Sequence, residues 1–193
     1  MFGFIGTRGA GSGRRVGQEI RFIQGVLGND AGMLNVVASD VAVAITGGDD
    51  NAMVGLADDG PSLLVYMGAI WAPFPEPFDG SPLDDTARTA RALLDRYQRH
   101  GEEFLDGVVG HYALCLVDGK NERLILARDG YGGPRVFVNE SKNEVSFSTR
   151  LIDFAGPLGL DGGLDRALED FFLGFEFLPD ERTLIKGVRS LEK

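Results

Sequence analysis

The chain has 193 residues, 44% of them hydrophobic, which is enough for one substantial core and one domain. A net charge of −10, with acidic residues dispersed rather than run together, argues against nucleic acid and anionic membrane surfaces as ligands and serves solubility instead. The single cysteine, Cys115, excludes an internal disulfide and a cysteine metal cluster; with no apolar run of membrane-spanning length and no basic flank ahead of the short apolar N-terminus, a cytoplasmic protein is expected.

Residues 1–6, "MFGFIG", alternate glycine with bulky apolar side chains and predict a short buried strand in close contact with other backbone. "TRGAGSGRRVGQ" lacks the spacing of a phosphate-binding loop and reads as a flexible loop. "DVAVAIT" and "SLLVYMG" predict strands separated by the turn-rich "GGDDNAMVGLADDG". "WAPFPEPFDGSP" reads as a long surface loop pinned by its aromatics. A helix is predicted over 81–101, with Ser81 as N-cap, Pro82 in the first turn, Asp84 and Asp85 near its positive end and Gly101 as its stop. Its apolar face is Ala87, Ala90, Leu94 and Tyr97.

"HYALCLVD", "RLILARD", "RVFVN" and "EVSFS" are four strand-like runs joined by "GKNE", "GYGGP" and "ESKN", which predicts an antiparallel meander. In "LDRALEDFFLGFEF", Leu164, Ala167, Leu168, Phe171, Phe172 and Phe175 fall at helical spacing and predict a second amphipathic helix. Strands in the middle with helices on either side define a layered α+β architecture.

Three stretches together are specific: "YQRHGEEFLDGVVGHYALCLVDGKNERLILARDGYGG", "VSFSTRLIDFAG" and "FLPDERTLIKGVRSLE". They resemble the N-terminal glutaminase domain of the asparagine synthetase family, a class II glutamine amidotransferase domain of N-terminal-nucleophile (Ntn) hydrolase fold. The shared pattern falls on Tyr97, Gly101, Glu103, Phe104, Leu105, Gly110 and Leu124 to Gly132, and extends to "LVYMGAI" and "MFGFIG". The resemblance implies an α+β, four-layer αββα sandwich of two antiparallel sheets. It also implies a single domain over 1–193 whose end, from about 180, leads toward an ATP-dependent synthetase domain. It implies neither cofactor nor metal.

In that family an N-terminal cysteine, exposed by removal of Met, attacks the glutamine side-chain amide while its own amine acts as base. Phe2 stands at that position here, without a nucleophilic atom and too large for Met1 to be trimmed. The family's Asn-Gly oxyanion donors fall on Met67 and Gly68: Gly68 keeps a backbone N–H, whereas Met67 has no side-chain donor. Loss of one such donor costs roughly two to three orders of magnitude in rate. An Asp that receives the substrate's α-amine falls on Thr89, and the Arg expected near "VAVAIT" for the α-carboxylate is missing.

Other residues offer no substitute. Cys115 sits mid-strand among apolar neighbours and reads as a buried structural thiol. His100 and His111 do not form a metal-spaced pair, and Arg128-Asp129 in "ARDG" reads as the device that holds a turn. "LDGGLDRA" looks like the pyrophosphate loop of the family's synthetase domain but lacks its serines. The resulting expectation is a glutaminase-like domain without catalytic residues that covers, positions or dimerises an adjoining synthetase domain, carried in cis or in trans. The alternative is a small-molecule-binding regulatory module that uses a pocket altered by Phe2, Met67, Trp71 and Thr89.

Overall fold

The computed structural model describes residues 3–9, 32–38, 41–47, 54–72, 86–155 and 163–192. Two antiparallel sheets carry the fold. The first holds β1 (Gly3–Gly9), β2 (Gly32–Ala38), β3 (Val41–Gly47), β8 (Phe137–Glu140), β9 (Glu144–Ser148) and β10 (Val188–Ser190), in the order β10-β8-β9-β1-β3-β2. The second is β4 (Val54–Asp58), β5 (Ser62–Ala72), β6 (Val109–Asp118) and β7 (Arg123–Arg128), in chain order. The N-terminal strand β1 therefore lies inside its sheet, paired to β3 on one side and β9 on the other.

The alternation of side chains along each strand assigns the two faces. Leu63 and Val65 on β5, Ala113, Cys115 and Val117 on β6, and Phe4, Val43, Val138 and Phe147 from the six-stranded sheet meet in the core between the sheets. The alternate residues Leu64, Tyr66, Tyr112, Leu114 and Leu116 face outward, where helix α1 (Thr86–His100) covers them with Ala90, Leu93, Leu94 and Tyr97. Both faces of β5 and β6 are thus buried, which is why their sequences read as nearly continuous apolar runs. On the far side of the six-stranded sheet, Ile5 and Phe137 pack with Phe154 of the one-turn helix α2 (Ile152–Ala155), Ile185 and Val188.

Several sequence expectations change here. β1 continues through Thr7, Arg8 and Gly9, which the sequence assigned to a loop, because those residues find partners on β3 and β9. Within the stretch read as turns, Val54–Asp58 is a strand, held by pairing with β5, and β2 has no counterpart in the sequence reading. The four later runs are not one meander: β6–β7 and β8–β9 are hairpins of different sheets, with no pairing between β7 and β8.

The buried stripe of α1 is Thr89, Ala90, Leu93, Leu94 and Tyr97, so Ala87 is exposed in the first turn and Thr89 and Leu93 take part in packing. The proposed capping residues Ser81 to Asp85 lie outside the described residues. At the other end α1 passes into a 3₁₀ turn, Gly101–Leu105, and Arg96 holds the exit by donating to the carbonyls of Phe104 (2.9 Å) and Asp106 (3.0 Å). The second predicted helix is α3 (Arg166–Phe175), capped by the Asp165 carboxylate on the N–H groups of Ala167 and Leu168. Of its predicted apolar face only Leu168 is buried; Phe172 and Phe175 are exposed because no described element packs over them.

Candidate functional site

Met67, Gly68, Gly110, Arg128 and Asp129, among the motif positions singled out by the sequence, gather at one end of the four-stranded sheet. Register places Met67 of β5, Ala113 of β6 and Arg128 of β7 in one row, and Ala69 opposite His111 in the next. Met67 packs against the core between the sheets, and alternation puts Arg128 on that same face, in line after Leu124 and Leu126. Beside Met67, Gly68 adopts φ +113°, and a Cβ there would run into the backbone carbonyl of His111. Gly110 is likewise without room, its missing Cβ directed at the carbonyl of Ala69. The two glycines let β5 and β6 close on each other where the oxyanion donors are expected.

A shift in register between Ile70 and Ala72 then brings Trp71 onto His111, ring centroids 5.0 Å apart and nearly perpendicular. The imidazole Nδ1 of His111 lies 3.6 Å from Oδ1 of Asp129. Asp129 is 3% exposed and accepts backbone N–H bonds from Tyr131 (2.7 Å), Gly133 (3.2 Å) and Tyr112 (3.2 Å). Burial pushes its carboxyl upward, but those three N–H groups and the neighbouring His111 outweigh it and hold the group below the ordinary carboxylate range. Asp129 is therefore the staple of the turn that follows β7, as the sequence reading of "ARDG" expected. Its partner in that reading behaves differently: the Arg128 Nε is buried and has no hydrogen-bond partner.

The N-terminal strand is clamped at its first residues. The Phe4 N–H donates to Thr149 Oγ1 (3.1 Å), its carbonyl accepts from the Thr149 N–H (3.0 Å), and a Cβ on Gly3 would run into Thr149 Oγ1. Behind this contact Ser148 donates to the buried carboxylate of Asp153, which Arg150 grips with its Nε (3.1 Å) and Nη2. A buried carboxylate with a bidentate guanidinium and a hydroxyl donor is well satisfied, so it fixes β1 rather than reacting.

Of the predicted site residues, Met67 and Gly68 are adjacent on the inner face and edge of β5. Thr89 is buried on α1, in the layer that covers the opposite face of the same sheet, so the structure does not bring its side chain to Met67. Phe2 lies outside the described residues. Cys115 is fully buried, and burial drives its thiol far above the ordinary range, so the chain's one sulfhydryl is not a nucleophile in the folded state. No group of three or more His, Cys, Asp or Glu among the described residues is placed to hold a metal ion, and no described helix is long and apolar enough to cross a membrane.

A two-sheet α+β sandwich with its N-terminal strand inside one sheet is the fold class of Ntn-type amidotransferases. The structure is similar to a solved glutamine phosphoribosylpyrophosphate amidotransferase from B. subtilis, with a TM-score of 0.52 at 12% identity, covering 80% of this chain and 43% of that one. Residues 38–193 match the glutamine amidotransferase domain family, and the chain belongs to it. Among curated proteins it is similar to putative glutamine-hydrolysing asparagine synthetases of Mycobacterium bovis and Mycobacterium tuberculosis, each 28% identical over 104 residues. That match takes in 52% of this chain and 16% of each relative's length.

Proposed function

We propose that the chain is the glutaminase-type domain of an asparagine-synthetase-like, ATP-dependent amide-forming enzyme, and that it does not itself hydrolyse glutamine. The feature that supports this reading is Phe2, which falls where the family's nucleophilic cysteine is expected, in a sequence that keeps the family's strand and turn motifs but not its polar site residues. Met67 adds to it: a thioether packed, partly buried, against the core offers no donor where the family uses an amide. The scaffold around these positions is kept, with Gly68, the Asp129 staple and the clamp on β1 all in place. A retained scaffold without the chemistry serves as a structural element, covering or positioning the synthetase domain in cis or in trans, or pairing with a second copy.

The test is exposure to an electrophilic glutamine analogue with intact-mass readout, beside a cysteine-bearing amidotransferase domain as control. The wild type stays unmodified and keeps Met1 under conditions that label the control. A stoichiometric adduct on the folded wild type overturns the reading. The alternative, a ligand pocket built from Phe2, Met67, Trp71 and Thr89, lacks a supporting observation, since Met67 packs partly buried against the core between the sheets and Thr89 lies on the helix that covers the other side of the sheet.

A further inference from the structure

Strand β7 is the outermost strand of its sheet, and its register fixes which backbone groups it leaves open. One step beyond the pair Ala113 and Arg128, the Asp129 N–H donates to the Tyr112 carbonyl at 2.9 Å, so that pair is of the hydrogen-bonded kind. Alternation then directs the backbone groups of Arg123, Ile125 and Ala127 toward β6 and those of Leu124, Leu126 and Arg128 away from it. No strand lies on that side, and among the described residues no backbone partner meets these N–H and C=O groups. The strand is apolar between its two arginines and carries neither proline nor bulge, and a cavity of about 560 Å³ lies beside Leu126, Ala127 and Arg128. An edge of this kind is a template for a further strand.

Symmetry and charge select the occupant. Leu124, Leu126 and Arg128 are evenly spaced about Leu126, so a second copy turned about a two-fold axis at Leu126 presents the same open groups in reverse order. In that antiparallel register Leu126 meets Leu126 and Leu124 meets Arg128, with opposed residues on the same face of the joined sheet. One pair further on, Glu122 of each copy lies diagonal to Arg128 of the other, so unlike charges meet at both ends. An axis between Ile125 and Leu126 would instead oppose Arg123 with Arg128 and set inner faces against outer ones.

We propose that β7 pairs antiparallel with β7 of a second copy about Leu126, joining the two four-stranded sheets into one. The pairing over 124–128 adds backbone bonds but little apolar area, well below the roughly 800 Å² per partner of a standard interface, so the dimer is weak, with a Kd on the order of 100 µM. This gives the pairing with a second copy a defined surface, and its failure would leave the reading on glutamine hydrolysis untouched.

The experiment is sedimentation velocity of the full chain from roughly 5 to roughly 500 µM, across which the wild type passes from monomer to dimer. Arg128→Glu and Glu122→Arg each set like charges together at both ends and weaken the dimer about tenfold; the double variant restores unlike charges and returns to within about twofold of the wild type. Leu126→Cys reads the register independently of affinity. Opposed Cα atoms of a hydrogen-bonded pair lie about 5.5 Å apart, within disulfide reach, so oxidised glutathione links two chains through Cys at 126, whereas Ile125→Cys, which is not opposed to itself, stays unlinked. Cys115 is buried and does not take part. A wild type that stays monomeric throughout overturns the proposal. So does a dimer that the single charge substitutions leave unchanged, which puts the contact on another face, a double variant no better than the singles, or equal linkage from both cysteine variants.

Discussion

Replacing Asp129 by Ala removes the acceptor of three backbone N–H groups at once. In the wild type these bonds measure 2.7, 3.2 and 3.2 Å to Tyr131, Gly133 and Tyr112, around a carboxylate that is 3% exposed. A hydrogen bond to a charged group contributes about 1.5–3 kcal/mol, and an orphaned buried donor costs a similar amount. Two of the three bonds are long and Tyr131 is at the surface, where water can replace the carboxylate, so the sum is below three full bonds. Asp129→Ala is predicted to destabilise the fold by about 3–4 kcal/mol, and Asp129→Asn, which keeps one acceptor oxygen, by about 1–2 kcal/mol. Urea unfolding followed by circular dichroism reads both, as a lower midpoint at unchanged slope.

The acid limb gives a second reading of the same group. Because its folded pKa is depressed, the carboxylate's stabilisation is present above the ordinary carboxylate range near 3.9 and is lost as pH falls through the folded value. The gap between wild type and Asp129→Asn should therefore narrow below about pH 4. A loss under about 1 kcal/mol for Asp129→Ala, with no narrowing in acid, refutes the assignment of Asp129 as the staple of this turn.

Three further outcomes follow from other parts of the structure. Tyr97 donates to Asp118 at 2.8 Å in a buried pair, so Tyr97→Phe should cost about 1–2 kcal/mol in urea. Burial first, then the hydrogen bond and charge of Asp118, raise that phenol to about 12; its contribution is present below pH 10 and lost as pH rises toward 12, and the variant should lack this alkaline decline. Gly68→Ala should lose at least about 2 kcal/mol through its positive φ and the collision with the His111 carbonyl, measured by the thermal midpoint. Cys115 should not react with a chromogenic disulfide reagent in the folded chain and should titrate as one thiol per chain in denaturant.

The parts of the fold that could be read from the sequence were those whose signal is local. β5 and β6 announce themselves because both faces are buried, and α1 because its apolar stripe repeats on one side. β4 was hidden among glycines and aspartates, since a five-residue edge strand draws its order from its neighbour β5 rather than from its own composition. The split of the supposed meander is a tertiary matter: after β7 the chain turns about Asp129 and continues in the other sheet, which no hairpin signal encodes. The amphipathic pattern of α3 predicted the helix correctly, yet periodicity cannot report whether anything covers the apolar face.

At the site, Gly68 was reached only through the family resemblance, whereas the turn-holding role of Asp129 was legible because aspartate readily fixes turns through bonds to nearby backbone. Arg128 was not, because the sequence joins it to Asp129 while strand alternation turns the two apart. The contact between Trp71 and His111 depends on a register shift forty residues upstream of the histidine, and nothing in either neighbourhood encodes it.

The central claim is the proposal that this glutamine amidotransferase domain, with Phe2 where the family's cysteine is expected, does not hydrolyse glutamine. The most direct measurement is glutamate release from saturating glutamine by the purified wild-type chain, read against a cysteine-bearing amidotransferase domain at the same concentration. The account predicts no release above the protein-free blank. Release that scales with the concentration of the wild-type chain and survives further purification contradicts it and places a working nucleophile elsewhere in the molecule.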